Sequence, residues 1–311
     1  MKSKKINEKI NIGGQAVIEG VMMRSPHFYS IAVCKKNKKI VNKSGKINSI
    51  TEKLNFLKLP VLRGFVVLYE SLVLGYKALD YSANIYENIN PEKKKSNKDN
   101  FQNIIAFIIS IIFAIVLFII IPYYLMRLIE VKVKTAGQSS ILFNLGIGIF
   151  KICIFLLYVW IISFLEDIKR IFMFHGAEHK TIFAYENSEK LNFNNIKKYP
   201  TIHPRCGTAF IFITFVISII FFAIFLPPKF NVLYRILIEI PLLIPIAGIS
   251  YEILKLSDKF KNNIFIKIFI FPGLAFQKIT TMEPDKWQIQ TAIKAASTVI
   301  NLEKKYNGNK K

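Results

Sequence analysis

Four long apolar runs dominate the pattern of the chain, at about residues 103–125, 142–164, 208–226 and 232–254. Each is long enough for a helix to cross a hydrocarbon core of ~30 Å, which takes roughly 20 residues. Outside them the pattern changes. From Ile12 to Val41 apolar and polar residues alternate, with a Ser-Pro turn at 25–26 and a Lys-Asn hairpin near 36–38, which predicts a small antiparallel sheet. Its glycines at 13, 14 and 20 imply positive φ angles or a close backbone approach. Residues 57–82 are amphipathic but interrupted by Arg63, Glu70 and Lys77. They read as a helix on the membrane surface or packed under the bundle. A helix over 168–186 follows the second run, then a polar connection over 187–199. Pro200 and Pro204 place His203 and Cys206 on a turn at the mouth of the third run. Residues 264–276 are too short to cross and are expected at the interface. Thr280-x-x-Glu283 reads as a helix start before an Ala-rich amphipathic helix ending near Leu302.

The expected fold is therefore a mainly α membrane protein with about four transmembrane helices, a small N-terminal β-containing cytoplasmic domain and a C-terminal cytoplasmic helix. Its parts are a basic tail (1–10), the β-rich domain (11–56), the amphipathic helix with a lysine-rich linker (57–100), the transmembrane region with its motif loop at 165–207 (101–254), and the interfacial segment with the final helix (255–311). Composition agrees, with 52% apolar residues in 311 and a mean hydropathy of +0.35. The lysine-rich start lacks the short apolar core and small-residue cleavage site of a signal peptide.

Charge fixes the expected orientation. The net charge is +23, and of 43 Lys and Arg, 19 precede residue 101, 7 fall in 165–207 and 11 follow 254, against 4 in the two remaining connections. This positive-inside pattern puts both termini and the 165–207 segment in the cytoplasm of a multi-pass cell-membrane protein. Topology and anionic lipid headgroups account for the basic surface, so membrane lipid is the expected partner and nucleic acid is not. A protein partner or oligomer is left open. Lys151, within the second run, is expected to snorkel outward, and Glu239 is the one intramembrane acid of note.

Only three cysteines in a cytosol-facing chain argue against a disulfide framework. Cys34 and Cys206 are expected reduced and Cys153 an apolar filler within a span. The chemistry concentrates at His175-Gly176-Ala177-Glu178-His179. On one helix, His175 and His179 lie one turn apart with Cβ atoms roughly 5–6 Å from each other. The pattern H-x-x-E-H is that of inverse zinc proteases, whose histidines bind Zn²⁺ and whose glutamate takes a proton from bound water. His203 and Cys206 are the nearest further ligands. The expected set is then His175, His179, His203 and Cys206 around a divalent metal, zinc above others, with Glu178 as general base. Hydrogen bonding alone is the competing role for these histidines, and packing for Cys206. Gln15, Glu19, Arg24 and His27 either line a site or serve turns. Glu283 and Asp285 either reach the site or begin a helix.

Five blocks resemble a known family. They are Gly-Gly-Gln-Ala-Val-Ile-Glu-Gly-Val-Met-Met-Arg at 13–24, Leu-Pro-Val-Leu-Arg-Gly at 59–64, His-Gly-Ala-Glu-His-Lys-Thr at 175–181, His-Pro-Arg-Cys-Gly-Thr at 203–208 and Thr-Thr-Met-Glu-Pro-Asp at 280–285. Together they are similar to the YqhQ-like bacterial membrane proteins, described in general terms as predicted metal-dependent enzymes. The resemblance implies that four of the blocks meet in one cytoplasmic site, with Gln15, Glu19, Arg24, Arg205, Glu283 and Asp285 around the metal or substrate. It implies no substrate and no peptidase activity. Metal-dependent hydrolysis is the leading expectation, a non-catalytic membrane scaffold or regulator the alternative, and a transporter, resting on Lys151 and Glu239, a third.

Overall fold

The computed structural model describes residues 9–50, 54–88, 97–132, 139–204, 206–227, 231–259 and 263–309. It has two parts, a helical bundle and a sheet-based layer packed at one end of it.

The sheet is a four-stranded antiparallel meander, β1 (Gly13–Val17), β2 (Gly20–Arg24), β3 (Phe28–Cys34) and β4 (Ile40–Lys46), in the order β1-β2-β3-β4. Successive side chains point to opposite faces, and both faces of the central strands are covered. Val21, Met23, Ala32 and Cys34 pack with Phe174, Ala177, Ile289, Ala292, Ala295, Ala296 and Val299. Met22, Ile31 and Val33 pack with Ala78 and Ile85. The first group belongs to helices α5 (Glu166–Glu186) and α9 (Lys286–Asn309), the second to α1 (Leu62–Tyr86). The alanines of α9 let its backbone approach the sheet closely. No glycine has a positive φ among the described residues, so the strand glycines serve close approach. A Cβ on Gly20 would stand 2.3 Å from the Ala32 carbonyl oxygen, and one on Gly14 2.5 Å from that of Met22.

Among the described residues, four helices are long and apolar enough to span a membrane, at Ile104–Lys132, Ile141–Ile162, Gly207–Phe225 and Val232–Leu256. They correspond to α2 (Asn97–Ile115) continued by α3 (Ile121–Lys132), to α4 (Ser140–Ile162), to α6 (Gly207–Phe225) and to α7 (Val232–Lys259). A π-helical turn, Val116–Ile120, joins α2 to α3. Pro122 follows two residues after its end and lacks the N–H that a regular helix needs there. Helix α8 (Ile264–Thr280) packs against α6 and α4, its Gly273 fitting against Ala209.

Helix α1 joins the two parts. Arg63 forms a bidentate ion pair with Glu252 of α7, and a Cβ on Gly64 would meet the Gly248 carbonyl oxygen at 2.9 Å. The 59–64 block therefore makes a helix crossing. The opposite face of α1 leaves Leu62, Phe65, Tyr69, Leu72, Tyr76 and Leu79 exposed.

Several expectations are corrected. Lys151 does not snorkel: it is 7% exposed and bonded to Glu239, itself 3% exposed. Cys153 is exposed on α4 instead of filling the bundle. Thr280 ends α8, and residues 281–283 lie in the connection and do not open the last helix. That start belongs to Asp285, whose carboxylate accepts from Gln288 N while the Gln288 side chain accepts from Asp285 N, both at 2.8 Å, a reciprocal capping box.

Candidate metal centre

Helix α5 is apolar on the face toward α9 and the sheet, and that packing turns His175, Glu178 and His179 inward. Gly176 makes the approach possible. A Cβ there would lie 2.1 Å from the Met282 carbonyl oxygen, and Met282 N donates to Phe172 O at 3.0 Å. The chain leaving α8 is thereby held against α5.

Two backbone carbonyls set the imidazoles. His175 Nδ1–H donates to Thr280 O at 2.8 Å, and His179 Nδ1–H donates to Thr201 O. A carbonyl only accepts, so in each neutral ring the proton sits on Nδ1 and Nε2 carries a free lone pair. Both Nε2 atoms face Cys206. The His175 Nε2 to Cys206 Sγ distance is 3.1 Å, and one ligand atom from each of His175, His179 and Cys206 lies within 4.8 Å of the others. Cys206 is the N-cap of α6. Its sulfur accepts from Thr208 Oγ1 at 3.1 Å and from Thr208 N at 3.4 Å, at the positive end of that helix.

His179 is 1% exposed, and its Nε2 has the Cys206 thiol as neighbour without a well-formed hydrogen bond among the described residues. A buried polar atom without a partner is costly, and here it points at a thiol and a second imidazole. Burial holds the His179 pKa below its usual range, keeping it the neutral base that a metal requires. Two imidazoles and a cysteine sulfur are a donor set of the kind that holds zinc at catalytic sites, where three protein ligands leave a position for water. Backbone carbonyls behind ligand histidines are the usual outer support.

Glu178 is 5% exposed and sits beneath β1, where a Cβ on Gly14 would stand 3.2 Å from its Cδ. Burial raises its pKa to about 7, opposed by His175 and by the Gly14 N–H donated to it. Its Oε2 has no hydrogen-bond partner among the described residues.

His203, expected with the other ligands, stands outside the three-atom group. Its Nε2 faces Glu186 Oε2 at 3.4 Å, and its ring packs on Phe183 at 4.3 Å and on His179 at 5.6 Å between centroids. Its backbone is clamped by Gln277, which accepts from His203 N at 2.8 Å and donates to His203 O at 3.0 Å. Glu19 pairs with Arg170 of α5 through two hydrogen bonds and so ties the β1–β2 turn to the motif helix. Gln15 lies against Gly75 and Arg24 Nη1 donates to Ser71 Oγ at 2.8 Å, placing both on the α1 face of the sheet. Glu283 bonds Lys180 at 2.5 Å, and Asp285 caps α9. Arg205 lies outside the described residues. The carbonyls of Thr201 and Thr280 and the amide of Gln277 carry no signal in the sequence. Only the location of Thr280 inside a flanking block, and of Thr201 just before another, hints at a role.

A family profile described as "Protein of unknown function (DUF1385)" matches residues 59–302. The chain is 31% identical to the "Uncharacterized protein YqhQ" of Bacillus subtilis (strain 168), over 96% of this chain and 95% of that one. No solved structure matches. The profile spans most of the chain and the relative nearly all of it, taking in the histidine pair, the Cys206 turn and the segment that delivers Thr280, and the chain therefore belongs to the DUF1385 family, the YqhQ-like membrane proteins.

Proposed function

We propose that the protein is a metal-dependent hydrolase of the membrane surface, with His175, His179 and Cys206 holding a divalent metal, zinc by the character of the donors. The observation that supports this reading best is the shared orientation of the two imidazoles. Each gives its Nδ1–H to a backbone carbonyl and turns its unprotonated Nε2 toward one sulfur.

A metal held there supplies a Lewis acid and an acidified water. The chain's own residues supply the rest. Glu178, on the same helix turn and with one carboxylate oxygen unpartnered, accepts the proton of the attacking water. A pKa of about 7 suits a group that must take up and release a proton near neutrality. His203 and Gln277 hold the turn that carries Cys206 in place. The concentration of Lys and Arg on the side of the bundle bearing the sheet supports a site facing the cytoplasm.

The test is turnover by metal-loaded full-length protein on fluorogenic carboxylic and phosphoric esters and on lipid extract followed by mass spectrometry, with Glu178→Gln as control. The reading requires metal-dependent hydrolysis that falls by at least about a hundredfold, the scale of a lost general base, in a variant that keeps its metal. Undiminished hydrolysis in Glu178→Gln would overturn the assignment.

A further inference from the structure

The outer face of α1 carries an apolar row left open by the described residues. Leu62, Phe65, Tyr69, Leu72, Tyr76 and Leu79 recur every three or four residues, the spacing of one helix face, and are 37% to 65% exposed. From Leu62 to Leu79 the row is about 26 Å long at 1.5 Å per residue. The inner face of the same helix is occupied. Gly75 lies against the Gln15 amide, Ser71 accepts from Arg24, and Ala78 and Ile85 pack with Met22, Ile31 and Val33 of the sheet. The helix therefore cannot turn its row inward without giving up these contacts. Six large apolar side chains side by side make a patch of the kind that marks an interaction surface.

Helix α1 starts at the depth of a span. A Cβ on Gly64 would meet the Gly248 carbonyl oxygen at 2.9 Å, and one on Gly248 would meet that of Val61 at 2.5 Å. Gly248 lies eight residues before Leu256, where that apolar span ends, about 12 Å along the helix axis. Leu62 and Phe65 therefore stand beside hydrocarbon, and Arg63, costly at that level, is neutralised by Glu252. Toward the other end the row becomes amphipathic, with Tyr69, Tyr76 and the exposed Lys77, the order that runs from acyl chains to headgroups. Cations border it. Lys58, one turn before Leu62, is exposed, and Lys43 and Lys36 stand over the rings of Tyr81 and Tyr86 at 5.0 and 5.2 Å. The acids beside the row are engaged elsewhere, Glu70 with Ser49 Oγ and Ile50 N and Asp80 with Asn84. An apolar stripe rimmed by lysines complements an anionic leaflet. A second copy seated on the same row, parallel or antiparallel, would set lysine against lysine.

We propose that the outer face of α1 is a lipid-binding surface, seated in the leaflet on the side of the sheet with Leu62 and Phe65 among acyl chains and Tyr76 and Lys77 at the level of anionic headgroups. The sheet, fixed to the inner face of the same helix, is thereby held against the membrane, and α1 anchors the chain in addition to the four long apolar helices. This surface stands apart from the metal reading and does not depend on it.

The experiment uses full-length protein in nanodiscs of phosphatidylcholine and phosphatidylglycerol. Leu72→Trp puts a reporter in the middle of the row, and its added emission is read as the difference from the wild type, which carries Trp160 and Trp287. Lipids brominated on their acyl chains should remove most of the added emission, and acrylamide in the water should remove little. Quenching by acrylamide without quenching by brominated lipid overturns the proposal, because the row then faces water. Quenching by neither also overturns it, because protein, such as a second copy, then covers the row. Should Leu72→Trp fail to fold, the wild type decides alone. Photolysis with a diazirine-bearing phosphatidylglycerol should leave adducts on residues 62–79, and adducts confined to the four long apolar helices contradict the surface.

Discussion

The Nδ1–H of His175 donates to the carbonyl of Thr280 at 2.8 Å, across 105 residues of chain. This contact ties the end of α8 to the motif helix and leaves His175 Nε2 facing Cys206. Its existence depends on a glycine one residue further on.

At Gly176 the space for a Cβ is occupied by the Met282 carbonyl oxygen at 2.1 Å, a backbone atom that cannot rotate away. Gly176→Ala should therefore force α5 and the 280–283 segment apart and destabilise the protein by about 1–3 kcal/mol, the scale of an overpacked core. Metal affinity should fall with it, because Thr280 O moves from His175. A thermal melt with a metal titration checks both, and an unchanged melt would show that the two segments do not meet as described.

Cys206 and His203 come from one sequence block but have different surroundings. Cys206→Ser should reduce metal content strongly, whereas His203→Gln should leave it near the wild-type value, since His203 Nε2 faces Glu186. Elemental analysis of both variants separates them. Loss of metal in His203→Gln with Cys206→Ser unaffected would make His203 the ligand and Cys206 a packing residue.

The four long apolar helices were legible because length and predominant hydrophobicity suffice for a bilayer, and the sheet because alternation and turn residues agree. The His175–His179 pair was legible from spacing, since four residues make one helical turn. What escaped were partners fixed by tertiary contact. The carbonyls of Thr201 and Thr280 belong to every residue type, so no letter marks them. Lys151 looked like a snorkelling lysine because Glu239 lies 88 residues away. Asp285 is as acidic as a ligand carboxylate would be, and only its paired bonds with Gln288 mark it as a helix cap. Covering of the sheet on both faces was likewise invisible, since α9 arrives from the far end of the chain and nothing in the pattern of α1 names the sheet as its partner.

Asp285→Ala tests the capping assignment. Removing an N-cap acid costs about 1 kcal/mol, so the variant should melt lower while binding the same amount of metal. A large loss of metal at unchanged stability would return Asp285 to the site.

Glu303 of α9 is 1% exposed and receives Ser25 Oγ at 2.7 Å and His27 N at 3.2 Å. Burial pushes its pKa up, but the hydrogen bonds from Ser25 and His27 outweigh it and hold the pKa below the usual 4.5. A depressed carboxyl pKa contributes stability that is present above the unfolded value and lost as pH falls through the folded one. Below about pH 4.5 the wild type should therefore lose stability more steeply than Glu303→Gln, which has no such proton to bind. Parallel pH profiles of the unfolding midpoint in that range would refute this linkage.

The decisive measurement is the metal content of detergent-purified full-length protein beside His179→Ala at equal monodispersity. A site built from His175, His179 and Cys206 should give about one equivalent of zinc or another divalent transition metal in the wild type, one ion for one three-ligand site, and essentially none in the variant. A folded wild type that contains no metal and takes none up on reloading would contradict it.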